Sequence, residues 1–199
     1  MGLQATGFAR DAMRETGARL QALADNDTFQ KTVERAGEMI AETLRSHGTV
    51  FSCGNGGSLC DAMHFAEELS GRFHNDRPPL AATAISDAAH LSCTANDYGF
   101  EQVFSRYLEA HARSGDVLIA LSTSGTSPNI LAAARTTKDK RGHVIAMTGR
   151  PGSALGDLAD VDICAGTTGY ADRAQEVHIV VIHSLIQSVE HHLFGTATA

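Results

Sequence analysis

His64 and Glu68 stand four residues apart in a stretch of helix-forming sequence. On a helix both side chains leave one face, about 6 Å apart along the axis, and an imidazole and a carboxylate so placed can chelate a metal. Arg72 continues the same stripe, so a surface ion pair between Glu68 and Arg72, with His64 merely nearby, is the competing reading. Gln175, Glu176, His178 and His183 add polar groups to the last long apolar segment. Histidines in such settings commonly pack and hydrogen-bond, and their pattern alone selects no ligand among them.

Two loops carry a second kind of chemistry. Gly54-Asn55-Gly56-Gly57-Ser58 follows a short apolar run and leads directly into helical sequence. Glycines let the backbone approach a ligand, and free N–H groups at a helix start attract anions or sugar hydroxyls, whereas a structural turn capped by the serine is the alternative. The stronger signal is Ser122-Thr123-Ser124-Gly125-Thr126-Ser127, with five hydroxyls around one glycine and Pro128 next, a residue suited to a first helical position. Such a loop offers many neutral donors to a phosphate. It lacks the lysine of GxxxxGK[ST], which disfavours nucleoside triphosphate hydrolysis. A helix cap at Ser127 would explain one hydroxyl and leave the others idle.

The elements that must position these residues can be read from hydrophobic patterning. After Gly48, apolar runs at Thr49–Cys53, Leu80–Ile85, Val117–Leu121, His143–Met147 and Val161–Cys164 alternate with helical stretches. That alternation predicts an α/β fold, a three-layer sandwich in which a five-stranded parallel sheet is flanked by helices. Ligands in such folds sit beyond the carboxyl ends of the strands, where both loops fall. Residues 3–47 read as leading helices broken at Asp25-Asn26-Asp27, and residues 172–193 as a closing helix with Ile179, Ile182, Leu185, Ile186 and Val189 on its apolar side. We expect a single domain over 1–199, with a leading helical segment 1–47 and a parallel α/β core 48–199. A leading helix precedes the first strand and has no sheet of its own to cover, so it is expected to pack against another subunit, a helix folded back on its own domain being the alternative.

Composition narrows the classes. A chain of 199 residues with 43% hydrophobic content can bury a substantial core. Its net charge of −7, with no Lys/Arg block, argues against a nucleic-acid surface, so anions must be bound locally. No stretch approaches the roughly 20 apolar residues of a membrane span, and a cytoplasmic location is the default expectation. Cys53, Cys60, Cys93 and Cys164 match neither a zinc knuckle nor a redox pair, and are expected to be buried reduced thiols.

Taken in order, GNGGSLCDAMHFAEELSGRF, TANDYGF, STSGTSPNI and GYADRAQEVHIVVIH resemble the sugar isomerase (SIS) domain family. Within it they resemble the bacterial phosphoheptose isomerases, over nearly all of the chain after about residue 48. The resemblance implies ketose-aldose isomerisation of sedoheptulose 7-phosphate to D-glycero-D-manno-heptose 7-phosphate, which feeds nucleotide-activated heptose and lipopolysaccharide. It implies one divalent metal, commonly zinc, at the positions of His64, Glu68, Gln175 and His183. Glu68 and His183 become the acid-base pair that moves one proton between neighbouring carbons and another between their oxygens. Substrate contacts fall to Asn55, Gly56, Gly57, Ser58, Glu68, Asn96, Asp97, Ser122, Thr123, Ser124, Ser127, Asp172 and Gln175. The implied partners are a sugar phosphate and further copies of the chain, as a homotetramer with sites at subunit interfaces, and neither nucleic acid nor membrane.

That ligand set meets a geometric difficulty. Residues eight apart on one straight helix are separated by about 12 Å along its axis, too far for Gln175 and His183 to share an ion easily. Either the helix starts after Gln175, or one of the two is not a ligand, or they come from different subunits, the explanation we favour. Two rival functions follow from the same resemblance: a tetrameric adaptor for the bacterial replication initiator, and an isomerase or sensor of another phosphosugar. Retention of His64, Glu68, Gln175 and His183 favours the enzyme.

Overall fold

The computed structural model describes residues 7–167 and 169–195. Two helices lead, α1 (Phe8–Ala24) and α2 (Asp27–Arg45), and Asn26 caps the second by accepting the Phe29 N–H at 3.0 Å. The strands are β1 (Val50–Cys53), β2 (Ala82–Ala84), β3 (Val117–Ser122), β4 (His143–Thr148) and β5 (Val161–Cys164). Between them lie α3 (Gly57–Ser70), α4 (Ala88–Tyr98), α5 (Ser105–His111), α6 (Pro128–Asp139) and α7 (Ala154–Leu158), and α8 (Ala171–Phe194) closes the chain.

All strands pair in parallel in the order β2-β1-β3-β4-β5. Alternate side chains of each strand enter opposite layers. Val117, Ile119 and Leu121 meet α2, α3 and α8 on one face, while Leu118 and Ala120 meet α5, α6 and α7 on the other. The strand order reverses direction between β1 and β3. The loops after those two strands, residues 54–57 and 123–127, therefore open beside one another at the switch point where doubly wound sheets bind ligands.

The second leading helix follows the alternative and folds back on its own domain. Val33, Ala36 and Ile40 of α2 are buried in the chain's own core, against the face that α8 also covers. At their crossing the helices are so close that a methyl group on Gly37 would lie 2.2 Å from Ser188 Oγ. The reason lies in the topology: only the β1-to-β2 crossover places a helix on this face, leaving α2 and α8 to cover the remainder. The first helix, α1, rests on α2 and α8 but keeps Phe8 and Met13 exposed, at 76% and 75%. The cysteine expectation holds only in part. Cys53 is buried and its thiol is pushed up by burial, whereas Cys60 and Cys93 are exposed. Among the described residues no helix is long and apolar enough to cross a membrane.

Candidate active site

The helix α3 starts at the first glycine loop and runs beside α8 in the same direction. Gly57 touches Gln175 at one end of the pair, and His64 meets His183 about two turns further on. A side chain at Gly57 would collide with the Gln175 amide, whose Oε1 would lie 2.7 Å from an added methyl. A methyl group there would push the Gln175 amide aside.

At the second contact three side chains converge. His64 Nε2 lies 3.1 Å from Glu68 Oε1, His183 Nε2 lies 3.8 Å from Glu68 Oε2, and the two imidazole nitrogens face each other at 3.3 Å. Their ligand atoms all fall within 4.8 Å of one another. Glu68 Oε2 is buried with no hydrogen-bond partner, an arrangement that burial of a carboxylate oxygen normally forbids. Phe73 stacks on His183 with ring centroids 5.8 Å apart, limiting where the imidazole can turn. Glu68 does not pair with Arg72: α3 ends at Ser70, so Arg72 lies beyond the helix, exposed, and the carboxylate turns to the histidines. One turn before His64, Asp61 has its carboxyl pushed up by burial, partly offset by His64.

The hydroxyl loop is a second convergence. Ser122 Oγ donates to Ser127 Oγ at 3.2 Å and lies 3.5 Å from Ser124 Oγ, while the Gly125 N–H donates to Ser122 Oγ at 3.1 Å. Ser127 precedes α6 but makes no side-chain capping bond, so the capping alternative fails and its hydroxyl belongs to the cluster. Gly125 turns at φ +65°, with Ser153 so near that a methyl group would lie 2.3 Å away. On its other side Thr123 and Ser124 line a cleft of about 220 Å³ with Arg150, Tyr170 and Ala174.

Asn55 does something the sequence did not disclose. Its amide and that of Asn129 exchange two hydrogen bonds, at 2.9 and 2.8 Å, tying the glycine loop to the start of α6. Asn129 is only 2% exposed, so this pair fixes the spacing of the two loops. Gly56 is exposed at the loop tip, and Ser58 is buried beneath it against Gly54.

Other expected residues lie apart. Asn96 and Asp97 occupy the last turn of α4, where Asn96 Nδ2 donates to Asp97 Oδ1 at 2.7 Å. That helix belongs to the sheet face opposite α3 and α8, so one chain does not bring these residues to the His64, Glu68 and His183 cluster. Asp172 is exposed in the first turn of α8, and Arg173 beside it bonds Glu15 at 3.0 Å and Glu176 at 2.6 Å, docking α1. Gln175 and His183 lie on one uninterrupted helix, which removes the possibility that α8 begins between them. Sequence reading passed over Arg150, although its loop follows the fourth apolar run and so sits at a strand's carboxyl end like the others. Asn129, second in α6, carried no separate signal beyond a polar residue on what proves to be a buried face.

A doubly wound parallel sheet with a hydroxyl loop at its switch point, and a His-Glu-His cluster between two helices on one sheet face, define a phosphosugar-handling α/β domain. The family described as the SIS domain matches residues 13–149. The phosphoheptose isomerase of Tolumonas auensis is 54% identical over 176 residues, 87% of this chain and 92% of that one. Among solved structures, the phosphoheptose isomerase of Neisseria gonorrhoeae is 35% identical with a TM-score of 0.83, covering 92% of this chain and 96% of its own. That of Francisella tularensis is 29% identical with a TM-score of 0.88, covering 95% and 100%. The chain belongs to the SIS domain family and, within it, to the phosphoheptose isomerases.

Proposed function

We propose that this chain converts sedoheptulose 7-phosphate to D-glycero-D-manno-heptose 7-phosphate, with the cluster of His64, Glu68 and His183 as the reacting centre. The observation that carries the assignment is the buried, unpartnered Oε2 of Glu68 facing His183, in a chain whose relatives at 54% identity are phosphoheptose isomerases. The substrate phosphate is received by the hydroxyls of Ser122, Thr123, Ser124 and Ser127, and Gly56 and Gly57 let the sugar come close to the backbone.

Isomerisation of the ketose removes a proton from C1, passes through an enediolate and returns a proton to C2, with a second proton exchanged between O1 and O2. The two oxygens of Glu68 divide this work. His64 holds Oε1, which fixes the carboxylate, and Oε2 remains free to accept the carbon-bound proton. His183 delivers and takes the proton at the oxygens from the opposite side, its ring held by Phe73. Asp172 and Gln175, with Asn96 and Asp97, hold sugar hydroxyls.

A divalent cation fits the cluster, because two imidazole nitrogens and one carboxylate oxygen lie within 4.8 Å of one another, which leaves the second carboxylate oxygen for the proton. We infer zinc, held by His64, Glu68 and His183. When bound, it supplies positive charge that polarises the carbonyl and stabilises the enediolate. Gln175 sits at the other end of α8's contact with α3, so we infer that it joins a cation site from a neighbouring subunit. The same argument supports a homotetramer with sites at interfaces, since Asn96 and Asp97 reach such a site only from another copy. The exposed Phe8 and Met13 on α1 give that assembly an apolar surface, and a cytoplasmic location suits the substrate.

A mass-resolved assay of sedoheptulose 7-phosphate turnover, with and without zinc and chelator, tests the assignment. Turnover is expected in the wild type and should be abolished in Glu68→Gln and His183→Ala. No turnover under any metal condition would defeat the heptose reading.

A further inference from the structure

Past the end of α3, in the connection to β2, Arg77 buries its side chain to 5% exposure. A guanidinium cannot shed its charge, so burial requires acceptors for its five N–H groups. The structure supplies them. Nε donates to Glu190 Oε1 at 2.8 Å, one terminal nitrogen to the Leu69 carbonyl at 2.7 Å and, more weakly, to those of Gly71 and Pro78 at 3.3 Å. The other donates to the carbonyl of Glu68 at 2.6 Å.

Two consequences follow from these bonds. The last carbonyls of a helix have no partner within it, and here Arg77 holds two of them, from Glu68 and Leu69. Glu68 is therefore fixed twice, by His64 at its carboxylate and by Arg77 at its backbone. Glu190 lies in α8 two turns beyond His183, so the same guanidinium joins the helix bearing Glu68 to the helix bearing His183. Gly57 against Gln175 closes the helix pair at one end, and Arg77 closes it at the other.

We propose that Arg77, braced by Glu190, is a positioning residue: it sets the approach of Glu68 to His183 and thereby the affinity of the cluster for a divalent cation. This rests on the reading of His64, Glu68 and His183 as a cation-binding acid-base centre. A residue that only capped α3 would affect stability and leave cation affinity unchanged.

Cobalt(II) titration of the purified full-length protein, followed by its visible spectrum, separates the two roles when run beside thermal unfolding and turnover. Arg77→Gln should weaken cobalt binding by about tenfold, the usual range for losing a group that orients a ligand. It should lower kcat more than it changes KM. Glu190→Gln should move both readouts in the same direction by less, and Arg77→Lys, which keeps the charge with fewer donors, should fall between wild type and Arg77→Gln. Leu108→Ala, which opens a cavity in the core on the opposite face of the sheet, should lose stability and keep cobalt affinity. Should Arg77→Gln not fold, Arg77→Lys decides alone. Cobalt affinity within twofold of wild type in a folded Arg77 variant, or an equal loss in Leu108→Ala, would overturn the proposal. Failure of the wild type itself to bind cobalt would overturn the cation reading beneath it, an outcome distinguishable from the first.

Discussion

The exchange of two hydrogen bonds between Asn55 and Asn129 is a joint whose strength can be measured. Each neutral hydrogen bond contributes about 0.5–1.5 kcal/mol net, so the pair accounts for about 1–3 kcal/mol. Asn55→Ala leaves the buried Asn129 amide without its partner, and Asn129→Ala removes the same two bonds together with the one its Oδ1 accepts from the Ile130 N–H. Each single variant should therefore lose about 2 kcal/mol, or about 4–8 °C in midpoint for a chain of this size. The double variant should lose little more than Asn129→Ala alone, because Asn55 then has no bond of the pair left to break. Urea unfolding of the four proteins at one concentration gives the coupling energy, expected at about 1–2 kcal/mol. Turnover assays should show a raised KM in all three variants, since the pair spaces the sugar loop from the phosphate loop. Additive losses within about 0.5 kcal/mol would refute the reasoning, because they would mean that the residues stabilise the fold separately.

Gly57→Ala should raise KM several-fold with less than about 1 kcal/mol of stability lost, because the Gln175 side chain can swing away while the backbone stays. Gly37→Ala should cost about 1–3 kcal/mol in urea unfolding, and Ser188→Gly in the same chain should restore most of it. His178 is buried, and desolvation lowers its pKa to about 4, against a weaker opposing bond to the Thr148 carbonyl. The unfolded chain therefore takes up this proton first as pH falls. The stability tied to neutral His178 is complete above about pH 6.5 and is lost towards pH 4, about 3 kcal/mol in all. Unfolding at pH 7.5 and pH 4.5 should show the wild type losing about 2–3 kcal/mol more than His178→Asn, and equal losses would contradict the assignment. Mixed oligomers of Gln175→Ala and His183→Ala chains should recover turnover that neither parent has, whereas uniformly inactive mixtures would exclude sharing between subunits.

The strands were legible because a parallel strand buried on both faces is a continuous apolar run, and four of the five runs match within a residue at each end. The exception, Leu80–Ile85, is a strand only over Ala82–Ala84, although the Ala81 carbonyl and the Ile85 N–H on either side also bond to β1. His64 and Glu68 were legible from helical spacing, and His183 from the resemblance. The role of α2 was not, because which helices cover a sheet face depends on strand order rather than local pattern. Arg77 and Asn129 were hidden for a related reason: their value lies in partners 113 and 74 residues away, which no local motif records.

The parallel run of α3 and α8 makes the site a ruler with fixed graduations. Sliding one helix past the other by a single residue would shift their contacts by about 1.5 Å and turn every side chain by about 100°. The interval between the Gly57–Gln175 contact and the His64–His183 contact can change only in such steps, and most of them would point the imidazoles away from each other. The spacing of the two contacts is thus set in whole residues of α3 and α8, and any shift of one helix along the other would have to be a jump.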